Sequence, residues 1–280
     1  MARTARIKSM EAGKMHYHLM SRACNKQFLF AKNAPKDKLL ELCRKAAAFC
    51  GIKLLAVTIM SNHFHILCEV VRASEPLGQD EILRRIAILK GEKFAEALSN
   101  RWSELACAGF DATLKSELDR WRARMDDISE YMKTVKELFA IWYKGEYGYV
   151  GSVWTGVFKS TMVEEGRYLE YCRKYILMNP IRAGIVRQLK DYRWVWTQTP
   201  EKSGQFPGCL PAGAFMVRVA QIGSGKLFGG EEFVRRWILG FGEKWRARSV
   251  GIHAVKAEGM EGIGYSSHGW RLAAKAKAVG

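Results

Sequence analysis

No apolar run in this 280-residue sequence approaches the roughly 18 residues that a membrane-spanning helix requires. The basic opening Met1-Ala2-Arg3-Thr4-Ala5-Arg6 is not followed by the apolar core of a secretory signal, so a cytoplasmic protein without a membrane partner is expected. Cys-x-x-Cys pairs are also missing. The cysteines (Cys24, Cys43, Cys50, Cys68, Cys107, Cys172 and Cys209) are odd in number and mostly set among apolar neighbours, which argues against a disulfide scaffold or a cysteine zinc site and predicts small core residues. Gly223-Ser224-Gly225-Lys226 lacks the leading glycine of a phosphate loop and is followed by Leu227 where Ser or Thr is needed. Acidic residues are few: 28 Asp and Glu against 45 Lys and Arg leave a formal charge of +17, a field that attracts polyanions and points to nucleic acid.

What is present suits a folded chain. The 48% hydrophobic content, with nine Trp and thirteen Phe, is enough for one well-cored domain over 1–197 and a small basic extension over 198–280. Met15–Arg22 reads as a strand, followed by a helix from about Pro35 to Cys50 with Leu40, Cys43, Ala47 and Cys50 on one face. Gly51 ends that helix. Ile52–Met60 and His63–Val71 read as two arms of a hairpin around Ser61-Asn62, and 79–142 as mostly helical, with a weaker-patterned helical insertion at about 99–127. A return strand at Val153–Met162 and a helix at Glu164–Met178, stopped by Asn179-Pro180, complete the domain. In the extension, Phe233, Trp237 and Phe241 suggest one helical stripe.

Two segments carry chemistry. Side chains at i and i+2 of a strand share a face, so His63 and His65 are placed to grip one divalent ion while Phe64 packs behind them. The pattern alone more often describes ordinary hydrogen-bonded or solvent-facing strand histidines. His16 and His18 repeat the spacing on the first strand, where they read as packing or phosphate-binding groups. On the late helix Tyr171, Tyr175 and Asn179 recur every fourth residue and line one stripe, which offers a phenol one turn before an amide oxygen.

Four blocks, in order and separation, resemble the single-tyrosine HUH transposases, and among them the REP-associated tyrosine transposases. They are Tyr17-His18-Leu19-Met20-Ser21-Arg22, Met60-Ser61-Asn62-His63-Phe64-His65-Ile66-Leu67, Gly151-Ser152-Val153-Trp154-Thr155-Gly156-Val157-Phe158-Lys159-Ser160 and Tyr175-Ile176-Leu177-Met178-Asn179-Pro180-Ile181-Arg182-Ala183-Gly184-Ile185-Val186. The resemblance implies an α+β, ferredoxin-like domain with a central antiparallel sheet and flanking helices. It also implies His63, His65 and Asn179 as ligands of Mg²⁺ (Mn²⁺ also suits imidazole), and Tyr175 as the nucleophile. The implied reaction cleaves and rejoins hairpin-bearing single-stranded DNA through a 5′-phosphotyrosine, in a monomer or a homodimer that exchanges the tyrosine helix. Arg22, Lys159, Arg173, Lys174, Arg182 and Arg187 are the expected phosphate contacts, with Trp154 and Phe158 stacking on unpaired bases. Two other outcomes stay open: a structured DNA- or RNA-binding protein that works by charge and aromatics without chemistry, and a rolling-circle-type replication or mobilisation nuclease that uses the same residues.

Overall fold

The computed structural model describes residues 13–198, 225–229 and 233, together with the backbone of 252–257 and 260–266. Its elements run β1 (Gly13–Arg22), α1 (Asn33–Cys50), β2 (Ile52–Ile59), β3 (His63–Arg72), α2 (Gln79–Lys90), α3 (Glu92–Cys107), α4 (Asp111–Arg122), α5 (Ile128–Tyr147), β4 (Lys159–Val163), α6 (Arg167–Leu177), the single turn α7 (Asn179–Arg182), β5 (Val195–Thr197), β6 (Gly225–Gly229), β7 (Ile252–Ala257) and β8 (Met260–Ser266). One sheet takes all the strands in the order β5-β2-β3-β1-β4-β6-β8-β7. Its centre, β2-β3-β1-β4, is antiparallel throughout and follows the β-α-β-β-α-β path of a ferredoxin-like domain.

Local chemistry sets the element boundaries. Gly51 closes α1 in the left-handed region at φ 68°, where a side chain would be strained, and its N–H caps Ala47 O. Asp127 starts α5 by accepting from the N–H groups of Ser129 and Glu130. Register in the sheet follows alternation. Tyr17, Leu19, Phe64, Ile66 and Cys68 face α1 and α5, against Leu39, Cys43, Met132, Val135 and Phe139, and form the main core. Leu67, Ala56 and Val163 face the other way and pack under α6 against Tyr168, Cys172 and Ile176. A register shift in β2 between Leu54 and Ala56 lets that strand serve both layers.

Several boundaries differ from those read in the sequence. The helical stretch read over 79–142 is divided into separate helices, with Gly91 (φ 92°) breaking α2 from α3. The return strand is only Lys159–Val163: the residues before it form a loop tied to β1 by an isolated bridge between Ala23 and Trp154. Leu40 is half-buried, since the buried face of α1 centres on Leu39, Leu42, Cys43 and Ala46. The sheet is not antiparallel everywhere, for β6 runs parallel to β4, and so part of the C-terminal extension adds a strand to the same sheet. Four of the cysteines, Cys43, Cys50, Cys68 and Cys172, are buried free thiols. All but Thr197 and Gln198 of the composition break near 197–210, and the stripe residues Trp237 and Phe241, lie outside the described residues, while Phe233 packs partly buried against the main core. Among the described residues no helix is long and apolar enough to cross a membrane.

Candidate active site

The α6 face of the sheet collects the polar side chains. Along β3, His63, His65 and Glu69 alternate with the core residues Phe64, Ile66 and Cys68, and β1 lies beside it with Arg22 opposite His63, Met20 opposite His65 and His16 opposite Glu69. The rings of His63 and His65 stand 5.0 Å apart at an interplanar angle of 84°. His18 reaches the same cluster: its ring stacks on His65 at 5.1 Å, and its Nε2 lies 2.9 Å from His65 Nδ1. His16 does not join them. It pairs instead with Glu69 at 3.1 Å, whose second oxygen accepts from Lys53.

A proline places the tyrosine. In an unbroken helix the carbonyl of Ile176 would accept from the N–H of residue 180, and Pro180 has none. Thr58 on β2 donates its hydroxyl to that carbonyl at 2.7 Å, and Asn179 Nδ2 donates to it at 3.3 Å and to Tyr175 O at 2.9 Å. The end of α6 is thus pinned to the strand next to β3. Tyr175 then lies edge-on to both His65 and His18, at 5.7 and 5.8 Å between ring centroids, beside the histidines of its own chain. The guanidinium of Arg182, just beyond the break, sits 5.2 Å from the Tyr175 ring centre.

The electrostatics follow from burial. His63 is pushed down to about 4, chiefly by burial and then by the charge of Arg22. His65 lies well below the ordinary histidine range through burial and its histidine neighbours. Both rings are therefore neutral at pH 7, the form that ligates metal. The Tyr175 phenol is raised by burial, against the opposing pull of Arg182 and Arg22.

The residues fit a divalent ion. Each imidazole turns Nδ1 to a neighbour, His63 to Asn62 Oδ1 at 2.7 Å and His65 to His18, so Nε2 is the atom each ring would offer to an ion, for His65 in the tautomer that protonates Nδ1. Asn179 spends its N–H donors on backbone carbonyls, which leaves Oδ1. Among the described residues no three His, Cys, Asp or Glu side chains form a metal cluster, so a third protein ligand beside the histidine pair would have to be of another kind, such as an amide oxygen.

Of the expected DNA contacts, the structure brings Arg22, Lys159 and Arg182 to this face: Lys159 is exposed on β4 opposite Met20, itself opposite His65. Arg173 is engaged by Glu170 at 2.6 Å, Lys174 is half-buried, and Arg187 lies exposed beyond α7. Trp154 and Phe158 are not open stacking platforms. Both are buried in the main core, Trp154 against Phe30, Phe64 and Phe139, because the loop before β4 folds back onto α5. Their edges line a cavity of ≈ 430 Å³ with Lys133, Lys136, Glu130 and Glu137 on the α5 side. Reading the sequence missed Thr58 as an anchor of the tyrosine helix and left His18 unplaced. The His-Tyr-His spacing was a signal for His18, but pairing it with His65 needs the β1–β3 register.

No curated protein matches the chain. Among solved structures, it is similar to a REP-associated tyrosine transposase bound to a REP hairpin, at 12% identity over 69% of this chain and 82% of that one, with a TM-score of 0.42. It is also similar to a candidate transposase from Deinococcus radiodurans, at 14% identity over 67% of this chain and 98% of that one, with a TM-score of 0.28. The family model described as transposase IS200 like matches residues 11–92, the stretch that holds β1, α1, β2, β3 and α2, and stops short of Tyr175. Over that segment, with its two His-x-His strands side by side, the chain carries the sequence pattern of the IS200-like transposases.

Proposed function

We propose that the protein cleaves and rejoins single-stranded DNA, with Tyr175 as nucleophile and hairpin-bearing strands as substrate. The observation that carries this reading is the position of the Tyr175 ring, 5.7 Å from His65 and capped by Arg182, on the polar face of the sheet. A phenol, two neutral imidazoles and an amide oxygen have no shared structural task that an apolar cluster would not perform better. They do suit attack on a phosphodiester.

His63, His65 and Asn179 would hold Mg²⁺ or Mn²⁺, which supplies Lewis-acid polarisation of the phosphate when bound. The chain's own groups do the rest. Tyr175 Oη forms a bond to phosphorus, the bond from phosphorus to the 3′ oxygen breaks, and the phenol proton is balanced by the proton gained on the departing 3′-hydroxyl. The product is a 5′-phosphotyrosine, and a 3′-hydroxyl attacking it runs the same exchange backwards, so no nucleotide triphosphate is consumed. The charge of Arg182 beside the ring favours the ionised phenol, while Arg22 and Lys159 supply positive charge for the non-bridging oxygens. The pinned end of α6 keeps attacker and target close before reaction.

The test is incubation of labelled hairpin-bearing single strands with wild type, Tyr175→Phe and His63→Ala/His65→Ala, with and without Mg²⁺ or Mn²⁺. A denaturant-resistant protein–DNA band is expected from wild type with metal only, while Tyr175→Phe still retards the DNA. Retardation without a covalent band in any sample would replace the enzyme by a binding protein. A band that survives Tyr175→Phe and is lost in Tyr171→Phe would move the nucleophile by one turn.

A further inference from the structure

The hairpin between β2 and β3 carries a polar residue that the proposed reaction does not use. Asn62 lies in the turn, and its side chain makes two contacts with unequal chemistry. Nδ2 donates to the carbonyl of Lys26 at 3.1 Å, and Oδ1 lies 2.7 Å from His63 Nδ1. A backbone carbonyl only accepts, so the amide must present its NH₂ to Lys26 and its oxygen to the histidine. An amide oxygen also only accepts. His63 Nδ1 therefore carries the proton, and the lone pair is left on Nε2.

The carbonyl that sets this direction is itself fixed. Asn25 and Lys26 occupy the left-handed region at φ 50° and 58°, uncommon for residues with a side chain and found where surrounding structure holds them. The same loop is laced to the turn through Ala23 N–H to Asn62 O at 2.8 Å and Phe30 N–H to Ser61 O at 2.9 Å. The contact at His65 is of a different kind. There His18 Nε2 faces His65 Nδ1, either ring can be the donor, and the bond orients the ring without selecting a tautomer.

We infer that Asn62 is a positioning residue that locks His63 in the Nδ1–H tautomer by way of the Lys26 carbonyl, so that Nε2 is ready for a divalent cation before any cation arrives. The use of that lone pair rests on the reading given under Proposed function; the lock itself does not. In outline, the loop after β1 writes the tautomer of a histidine on β3 through one amide.

The lock is read in the metal-free full-length protein by long-range ¹⁵N–¹³C-edited NMR of the imidazoles at a pH where His63 is neutral. Wild type is expected to show one His63 form, protonated at Nδ1. Asn62→Leu, similar in size and without an acceptor, should show mixed tautomers and bind Mn²⁺, followed by the electron paramagnetic resonance of the free ion, about 10- to 100-fold more weakly. Asn62→Asp keeps an acceptor and should restore both the Nδ1–H form and the Mn²⁺ affinity. A wild-type His63 protonated at Nε2, or an Asn62→Leu spectrum and affinity equal to wild type, overturns the inference, and the first needs no variant to fold. If the tautomer is locked and no covalent band forms on DNA, the proposed reaction fails and the lock stands. If the band forms with an unlocked His63, the reverse holds.

Discussion

The two faces of the sheet are built from the same strands and do opposite work. On β3, Phe64, Ile66 and Cys68 enter an apolar layer closed by α1 and α5, whereas His63, His65 and Glu69, their immediate neighbours in sequence, look toward the α6 side. The first layer is held by area removed from water, about 1.5–3 kcal/mol for each large side chain. The second buries a smaller apolar cluster, with Leu67, Ala56 and Val163 under α6, and adds hydrogen bonds between named partners: His16 with Glu69, His18 with His65, His63 with Asn62, and Thr58 with Ile176 O. A period of two therefore separates stability from chemistry within one strand, and a substitution at one position should leave the property of its neighbour nearly untouched.

The sharpest way to break that comparison uses one change on each face. Tyr175→Phe removes one oxygen from the polar face and is expected to abolish covalent capture of DNA while the urea midpoint stays within that of wild type. Phe64→Ala, on the fully buried face, should lower stability by about 3–5 kcal/mol. Its remaining folded fraction should still form the covalent band. If Phe64→Ala lost capture at a concentration where it is folded, or Tyr175→Phe unfolded the chain, the two faces would not be separable in this way.

Much of this division is legible in the residues. Alternation in His63–Val71, the helix stop at Asn179-Pro180 and the four-residue spacing of Tyr175 and Asn179 are local signals, and the rings of Tyr175 and His65 lie 5.7 Å apart. What was not legible depends on pairing across distance. That β1 inserts between β3 and β4, bringing His18 to His65 and leaving His16 to Glu69, is a property of sheet order that no short window of sequence holds. The burial of Trp154 and Phe158 was hidden for the same reason: an aromatic-rich loop near a motif reads as a surface for bases until α5 is known to cover it.

Acid should act on the polar face before the apolar one. His63, His65 and His16 all have pKa values lowered by burial, His63 to about 4 from an ordinary 6.5. Below 6.5 the unfolded chain binds protons that the folded chain refuses, so stability is intact above 6.5 and is lost as pH falls toward 4. Each such histidine adds a slope of up to about 1.4 kcal/mol per pH unit. Glu81, held down to about 2 by Arg84 and then Arg85, starts to subtract stability only below its ordinary 4.5, and Asp126, raised by burial, adds stability as pH falls, so a loss of stability between 6.5 and 4.5 comes from the histidines. The melting temperature of metal-free protein should fall across that interval, and His63→Gln/His65→Gln should flatten the fall; an unchanged slope would mean these rings are protonated when folded.

Arg182→Gln tests the charge beside the phenol. The cation lowers the phenol pKa against the burial that raises it, so its removal should raise that pKa further. Covalent capture at neutral pH should drop by on the order of 10²-fold, the usual loss for one stabilising donor, with the alkaline rise of the rate moved to higher pH. A uniform drop with an unmoved pH profile would assign Arg182 to DNA contact alone.

The smallest expected change sits where the two faces meet. Thr58 lies on β2 between the core residues Val57 and Ile59, yet its hydroxyl crosses to the carbonyl that Pro180 leaves without a donor. Thr58→Val keeps the shape and removes that donor. Since Asn179 Nδ2 also reaches Ile176 O, at 3.3 Å, the carbonyl is not stripped bare, and the stability cost should stay near about 1 kcal/mol. The effect on the proposed chemistry should be larger than that figure suggests, because Asn179 would then have to shift toward Ile176 O and away from Tyr175 O, turning the amide that the proposed site uses. A variant with reduced urea midpoint and unchanged rate of capture would show that the break at Pro180 aims Tyr175 and Asn179 by itself, and that Thr58 belongs to the stability of the sheet and not to its polar face.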